Sequence, residues 1–189
     1  EEHQLRWIFI SSISVYGELY SESSIPVTLF PTPIDSYGVG KLHDEGLFTS
    51  NSSHLDILRL MPVYDSENLQ DIKKRVFLPN TNVKIMIRPA PLYSICNVEE
   101  VLTAVKKCMN YGSGQRIIQV GDPQPVSQRD LVSWFSGKSI PVPQLLFTTM
   151  IFLLPKRVAL FRSISLMLKK LGLNNIYEIG YKELDSKEM

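Results

Sequence analysis

Three short apolar runs limit the folds that this chain can adopt. They are LRWIFIS at 5–11, LDILRL at 55–60 and RIIQV at 116–120. The first is almost continuously apolar and does not alternate between apolar and polar positions. This pattern is typical of a strand that is buried on both faces of a parallel sheet. The three runs therefore predict strands of an α/β fold.

A helix separates the first two strands. A loop rich in serine and proline covers residues 21–33, and Asp35 or Ser36 can then cap a helix over 37–49. The order strand, loop, helix, strand indicates a parallel sheet. Further along, the pattern predicts a strand at 83–87 and an Asn97-capped amphipathic helix at 98–110. It also predicts four helices, at 68–76, 127–135, 144–153 and 157–171.

Length, composition and charge indicate the general class of this protein. The chain has 189 residues, 44% of them hydrophobic, which is enough for a core in one or one and a half domains. The net charge of +1 argues against nucleic acid as a partner. The two cysteines, Cys96 and Cys108, suit packing positions and a reducing compartment. Because no signal peptide opens the chain, we expect a cytoplasmic protein.

Ser12, Tyr37 and Lys41 form the most informative combination of residues. Ser12 ends the first strand, and ligands of open α/β sheets bind beyond such strand ends. Tyr37 and Lys41 are four residues apart in the next helix and share one face. If strand and helix pack as neighbours, the three side chains point toward one crevice.

The chemistry of such a set is proton transfer beside a redox cofactor. A free tyrosine has a pKa of about 10, and a nearby ammonium group favours the phenolate. Such a phenol can take a proton from a carbinol or return one to a carbonyl. A serine hydroxyl can hydrogen-bond the substrate oxygen while its charge changes. The hydride needs a nicotinamide, because no side chain can supply it.

The motifs around these residues extend the pattern. SSISVYG (11–17) is followed by DSYGVGK (35–41), and the strand LDILRL leads into MPVYD (61–65). Later segments are SICNVEEV (94–101) and IIQVGDPQPVSQRDLVSW (117–134). Together they resemble the extended short-chain dehydrogenase/reductase superfamily, in its NAD-dependent epimerase/dehydratase family acting on nucleotide sugars. The C-terminal NNIYEIGYKEL (174–184) fits the same family.

The resemblance implies a role for each matching residue. Tyr37 would be the catalytic acid and base, and Lys41 would bind the nicotinamide ribose. Ser12 would hydrogen-bond the reacting sugar oxygen, and Ser14 would reach the sugar. Pro62 and Val63 would lie near the nicotinamide ring. The implied cofactor is NAD or NADP, the implied partner is a nucleotide sugar, and a homodimer is left open.

One family motif is missing from the sequence. The glycine-rich fingerprint that binds the cofactor pyrophosphate should lie upstream. Gly38 and Gly40 cannot replace it because they lie inside the predicted helix. We therefore expect the C-terminal portion of a Rossmann-type sheet with a smaller substrate-binding lobe. Residues 1–64 would be the remainder of the Rossmann domain and 65–189 mainly the lobe, with 97–121 returning to the sheet.

Differences between this sequence and the family motifs also limit the reactions that the resemblance implies. A sugar 4,6-dehydratase of this family has an Asp-Glu pair where this chain has Ile13 and Ser14, which argues against a dehydratase. The remaining activities are a nucleotide-sugar epimerase and a ketoreductase, with a place in surface-polysaccharide synthesis. The alternative is a truncated, non-catalytic fragment that retains the substrate-binding lobe.

Other polar features have structural interpretations. Ser11 and Arg59 are expected to be structural, and the three isolated histidines predict no metal site. Lys73, Lys74 and Arg75 are typical of a solvated surface, with contact to a nucleotide phosphate as the alternative. The apolar segment 145–154 and the basic residues after it fit a core or oligomer-interface helix pair better than a membrane surface.

Overall fold

The computed structural model describes residues 5–17, 19–21, 23–110, 114–153 and 159–181. Strands within these ranges are β1 (Trp7–Ser12), β2 (Leu55–Leu60), β3 (Val63–Tyr64), β4 (Lys84–Arg88), β5 (Leu92–Tyr93), β6 (Cys96–Asn97), β7 (Gln115–Val120), β8 (Val126–Ser127) and β9 (Ser139–Pro143). Helices are α1 (Ser36–Asn51), α2 (Gln70–Lys73), α3 (Val98–Met109), α4 (Gln128–Ser133), α5 (Gln144–Leu153) and α6 (Ala159–Gly172), and a 3₁₀ turn covers Ile13–Tyr16.

The main sheet consists of the three apolar runs. β1, β2 and β7 are parallel and lie in the order β1-β2-β7, with Phe9 beside Ile57 and Ile57 beside Ile117. β2 is central, and its first five residues are buried, as expected for a strand covered on both faces. The predicted α/β class and the predicted strands are therefore confirmed, whereas the predicted burial on both faces is wrong for β1, where Trp7 and Ile10 are exposed. The division of the chain at residue 64 stays a prediction.

Side-chain caps begin the helices where the sequence indicates. The Asp35 carboxylate accepts from the backbone N–H of Gly38 at 2.7 Å and starts α1. The Asn97 side chain accepts from the N–H of Glu99 at 3.0 Å and starts α3. Each contact satisfies an N–H that a helix start leaves without an intrahelical acceptor. Ser127 caps α4 in the same way.

A buried ion pair fastens α1 to the sheet. Arg59 of β2 donates from Nε and one terminal nitrogen to the Glu45 carboxylate of α1, at 3.1 and 2.7 Å. Ser11 of β1 donates to the same carboxylate at 2.5 Å, and Arg59 donates to the Tyr16 hydroxyl at 2.8 Å. Burial lowers the pKa of Arg59, but Glu45 and Tyr16 outweigh burial and the net pKa is raised. The predicted structural role of Ser11 and Arg59 is confirmed.

A second buried carboxylate was not indicated by the sequence pattern. Asp56 of β2 is fully buried and accepts hydrogen bonds from Arg6 at 2.9 Å and from Arg116 at 2.7 Å. Arg6 directly precedes β1, and Arg116 is the second residue of β7. The Asp56 carboxylate of β2 therefore connects all three strands of the sheet. A buried charge is tolerable only when it is paired and hydrogen-bonded in this way.

The remaining chain forms smaller sheets around further clusters. β4 and β9 pair in parallel, and the sequence pattern did not predict β9. Phe147 and Ile151 of α5 pack with Leu168 and Leu171 of α6 against β4. The predicted start of the last helix at 157 lies outside the described residues. In the described ranges, no helix combines the length and the apolar character that crossing a membrane requires.

Both cysteines are free and buried, as predicted for packing residues. Cys96 and Cys108 lie in the core cluster beneath the main sheet, with Leu58 and Val120. Burial raises the pKa of each thiol to about 12. The protonated form is therefore strongly favoured in the folded chain, and the thiolate is the reactive form.

We expect the folded chain to resist thiol reagents. A pKa raised from 9.0 to about 12 reduces the thiolate fraction near pH 8 by about a thousandfold. The alkylation rate should rise with pH toward that value and should become fast at pH 8 in denaturant. Mass spectrometry after iodoacetamide treatment measures both rates. Rapid labelling of either cysteine in the folded chain at pH 8 would contradict this assignment.

Candidate active site

Ser12 occupies the carboxyl end of β1, where the chain turns away from the sheet. Its side chain accepts from the backbone N–H of Ser14 at 3.2 Å and so caps the 3₁₀ turn. Its hydroxyl also donates to the Ser14 hydroxyl at 3.2 Å. The tight turn places these two hydroxyl groups side by side at one edge of the parallel sheet, which is where ligands of such sheets bind.

Tyr37 and Lys41 lie in the first turns of α1. The Tyr37 side chain is 57% exposed, so its phenol is available to a ligand. The Lys41 ammonium donates to the carbonyl of Ile10 in β1 at 2.9 Å and lies 6.0 Å from the Tyr37 ring centroid. It also lies 5.1 Å from the Phe9 ring centroid. The contact with β1 holds the ammonium group beside the phenol ring.

Gly38 brings α1 against the turn that follows Ser12. A Cβ atom at position 38 would lie 2.5 Å from the carbonyl oxygen of Ser14 and 3.1 Å from the Cβ of Pro33. Separations below 3.0 Å cannot be accommodated without a shift of the backbone. The helix and the turn therefore meet without an intervening side chain. Tyr37 is the residue directly before this contact.

Five of the predicted site residues line one cavity of about 450 Å³. They are Ser12, Ser14, Tyr37, Pro62 and Val63. The sixth predicted residue, Lys41, does not line the cavity. It donates a hydrogen bond to the carbonyl of Ile10, and Ile10 does line the cavity. The volume lies within the range of small-molecule sites. The structure thus brings the predicted residues together, while their individual roles stay predictions.

Residues of the 65–189 region also line the cavity, and three of them are basic. Lys74, Arg75 and Lys170 line it, and one carboxylate, Asp71, lies among them. Lys74 pairs with Asp71 at 2.5 Å. The cavity lining therefore combines the hydroxyl groups of Ser12 and Ser14 with three basic side chains and with the carboxylates of Asp35 and Asp71.

Arg75 corrects one prediction from sequence. Lys73 and Lys74 are exposed, but Arg75 is buried, so the solvated-surface interpretation is wrong for this residue. α2 is a single turn, and its end turns Arg75 inward, 5.5 Å from the Tyr93 ring centroid. One terminal nitrogen donates to the Asp71 carbonyl at 2.8 Å, and the buried Nε has no hydrogen-bond partner among the described residues. Burial lowers its pKa.

Several lining residues were missed from the sequence. Asn175 and Tyr177 come from the segment after α6, and Leu166 comes from α6 itself. Asn175 donates to the carbonyl of Leu19, which joins this segment to the loop after the 3₁₀ turn. These residues are more than 100 positions from Tyr37, and no local motif marks them. Only the family resemblance of NNIYEIGYKEL pointed to this region.

The comparisons with known proteins find matches among solved structures. No family model and no curated protein matches the sequence. UDP-glucuronic acid 4-epimerase from Bacillus cereus in complex with NAD has a TM-score of 0.55 at 18% identity, over 96% of this chain and 61% of its own. dTDP-4-dehydrorhamnose reductase from Bacillus anthracis in complex with NADP has a TM-score of 0.56 at 18% identity, over 73% of this chain and 51% of its own.

A third solved structure is a short-chain dehydrogenase/reductase superfamily protein from Agrobacterium tumefaciens with bound NAD. It has a TM-score of 0.58 at 16% identity, over 74% of this chain and 56% of its own. The chain therefore spans between one half and two thirds of the length of each of these proteins. At these identities the likeness concerns the fold, and the fold is the one predicted from the sequence motifs. The chain therefore has an α/β fold that is similar to about half or more of each of these three solved structures.

Proposed function

We propose that this chain supplies the proton-transfer residues and the sugar-binding wall of an NAD(P)-dependent nucleotide-sugar epimerase or ketoreductase. The observation that supports this most is the single cavity shared by Ser12, Ser14, Tyr37, Pro62 and Val63. Hydroxyl groups, a phenol and a neighbouring ammonium group at the end of parallel strands are the groups that carbonyl–carbinol chemistry needs.

The donor set fits a nicotinamide cofactor, NAD or NADP. A lysine ammonium has three N–H donors, and the Ile10 carbonyl uses one of them in Lys41, which leaves two for ribose hydroxyls. Pro62 and Val63 offer an apolar wall for the nicotinamide ring. When bound, the cofactor would accept the hydride from the carbinol carbon and return it to the carbonyl carbon.

Tyr37 would take the hydroxyl proton as the carbinol becomes a carbonyl and would return a proton in the reverse step. The Lys41 ammonium, 6.0 Å from the ring centroid, would stabilise negative charge on the phenol oxygen. Ser12 would hold the reacting oxygen by a hydrogen bond. In an epimerase the keto sugar would be reduced on its other face, and in a ketoreductase it would arrive already oxidised.

The basic side chains of the cavity lining support a nucleotide sugar as the substrate. A diphosphate needs cationic donors, and arginine binds phosphate oxygens with geometric precision. Arg75 and Lys74 line the same cavity as Ser12 and Ser14. We place the sugar at Ser12 and Ser14 and the diphosphate at Arg75. A cytoplasmic setting in the synthesis of surface polysaccharides is part of the same proposal.

We expect Arg75→Met to weaken nucleotide binding. Methionine keeps much of the aliphatic volume and removes a buried charge, so the fold should survive. Loss of one charge-assisted contact should reduce the affinity for UDP by about tenfold or more. Calorimetric titration with UDP measures this, and Lys106→Met, an exposed change on α3, is the matched control. Equal affinities in both variants would remove Arg75 from the diphosphate site.

A second candidate function is a non-catalytic binding module. One observation favours it, namely the apolar side chains of Trp7 and Ile10 in β1, which are exposed. Titration of the chain with NADH, followed by fluorescence, separates the two candidates. Stoichiometric binding of NADH supports the enzyme. Binding of UDP-sugars without NADH supports the module.

A further inference from the structure

Gln128 is the first residue of α4, and it is fully buried. Its side-chain oxygen accepts from the backbone N–H of Ile87 in β4 at 2.7 Å. Its side-chain nitrogen donates to the backbone carbonyls of Arg75 and Leu171, at 3.0 and 2.9 Å. One amide group therefore connects α4 with β4, with the segment after α2 and with the last turn of α6.

The three partners also fix the orientation of the amide. A backbone N–H can only donate and a carbonyl oxygen can only accept, so the amide oxygen must face Ile87 and the nitrogen must face the two carbonyls. The contacts use both N–H donors of the amide. Asparagine is one methylene group shorter, and an ionised glutamate has no donor. The position therefore needs the length and the donors of glutamine.

The backbone at Gln128 is held in place as well. Its N–H donates to the carbonyl of Pro91 at 2.8 Å. Ser127, directly before it, caps α4 and pairs with Leu92 of β5. The side chain of Gln128 thus extends from a fixed point of the fold toward the segment that carries Arg75.

Arg75 is the point at which this hydrogen-bond network meets the cavity of the candidate active site. Arg75 lines the cavity, whereas Gln128 is not among the lining residues. The guanidinium donates to the Asp71 carbonyl, which belongs to the same short segment of chain, and its buried Nε has no partner among the described residues. A buried donor without a partner is costly, and a bound anion would satisfy it.

We propose that Gln128 is a positioning residue for Arg75 in the diphosphate site, an inference that rests on the function proposed above. By fixing the carbonyl of Arg75, Gln128 would hold the guanidinium at the cavity before a ligand arrives. Less conformational entropy is then lost when the diphosphate binds, which increases the affinity. Gln128 would act through Arg75 and would not touch the substrate.

A double-mutant cycle with Gln128→Met and Arg75→Met tests the proposal. Methionine has a similar length but no donor, so the affinity of Gln128→Met for UDP should fall by about tenfold. The double variant should bind UDP as weakly as Arg75→Met alone, within about twofold, because Gln128 has nothing left to position. Calorimetric titration with UDP measures this, at a temperature at which circular dichroism shows each variant folded. Losses that multiply in the double variant would overturn the proposal.

Gln115→Met is the matched control. The Gln115 amide also donates to two backbone carbonyls, those of Thr49 and Ser52, at 2.8 and 2.6 Å. Gln115 begins β7 and is not among the residues that line the cavity. Its replacement should leave the affinity for UDP unchanged. An equal loss of affinity in Gln115→Met and Gln128→Met would indicate a general loosening of the fold and would overturn the proposal.

The position of Arg75 can also be followed without a ligand. Its Nε–H signal in a proton–nitrogen correlation NMR spectrum is the one that Arg75→Met lacks. This signal should shift or broaden in Gln128→Met and stay unchanged in Gln115→Met, and an unchanged signal in both would overturn the proposal. A displaced signal in a chain that does not bind UDP would support the positioning role and contradict the diphosphate site. If Gln128→Met does not fold, Gln128→Glu replaces it, since glutamate keeps the volume and the acceptor for Ile87.

Discussion

Tyr37→Phe should lower turnover by about 10²- to 10⁴-fold. Phenylalanine keeps the ring beside Lys41 and removes the hydroxyl that would carry the proton. Tyr37 is more than half exposed and its hydroxyl has no structural hydrogen bond to break among the described residues, so the stability should change little. Interconversion of a panel of UDP- and dTDP-sugars with added NAD or NADPH, followed by chromatography, measures the loss.

Tyr64→Phe is the matched control for this change. The Tyr64 hydroxyl donates to Asp122 at 2.8 Å and is not part of the cavity lining. Burial and the contact with Asp122 raise its pKa to about 12, which makes it a poor base at neutral pH. Its loss should cost about 1 kcal/mol of stability and no turnover. If the Tyr37 variant kept wild-type turnover, the proton-transfer proposal would fail, whereas the binding of UDP to Arg75 would be unaffected.

Glu45→Ala should lower the free energy of unfolding by about 3–5 kcal/mol. The change leaves Arg59 buried and charged without its carboxylate, and it removes the acceptor of Ser11. At this chain length the loss corresponds to a fall in Tm of about 6–20 °C. Urea denaturation followed by circular dichroism measures it.

The double variant Glu45→Leu with Arg59→Met tests the reason for that loss. Replacing both partners of a buried ion pair by apolar residues is often close to neutral, because no charge remains buried. We therefore expect it to regain most of the stability lost in the single variant. A single variant that loses less than about 1 kcal/mol would show that the pair behaves as an exposed one.

The sequence was sufficient to predict the main sheet because its strands are short apolar runs, although only β2 is buried along most of its length. Two charged residues inside the second run, Asp56 and Arg59, did not alter the prediction, although both are buried. Their partners lie on other elements, with Glu45 on α1 and Arg116 on β7. Ion pairs of this kind depend on how elements that are distant in the sequence pack together. A single sequence contains no local pattern that indicates them.

The candidate site was predictable on one side only. Ser12, Tyr37 and Lys41 belong to local motifs with fixed spacing, so their meeting at the end of β1 could be foreseen. Arg75 could not be placed, because a run of basic residues is usually solvated and its inward turn depends on the short length of α2. Asn175 joins the cavity through a contact across more than 150 residues.

The backbone contact at Gly38 also bears on how this site can be engineered. Since a methyl group there would meet the Ser14 carbonyl, a mutational library should find position 38 closed to every side chain. The distance between the hydroxyl groups of Ser12 and Ser14 and the phenol of Tyr37 then cannot be adjusted by a substitution at position 38. The connecting loop, by contrast, could accept changes in length, because it is the contact and not the loop that sets this spacing.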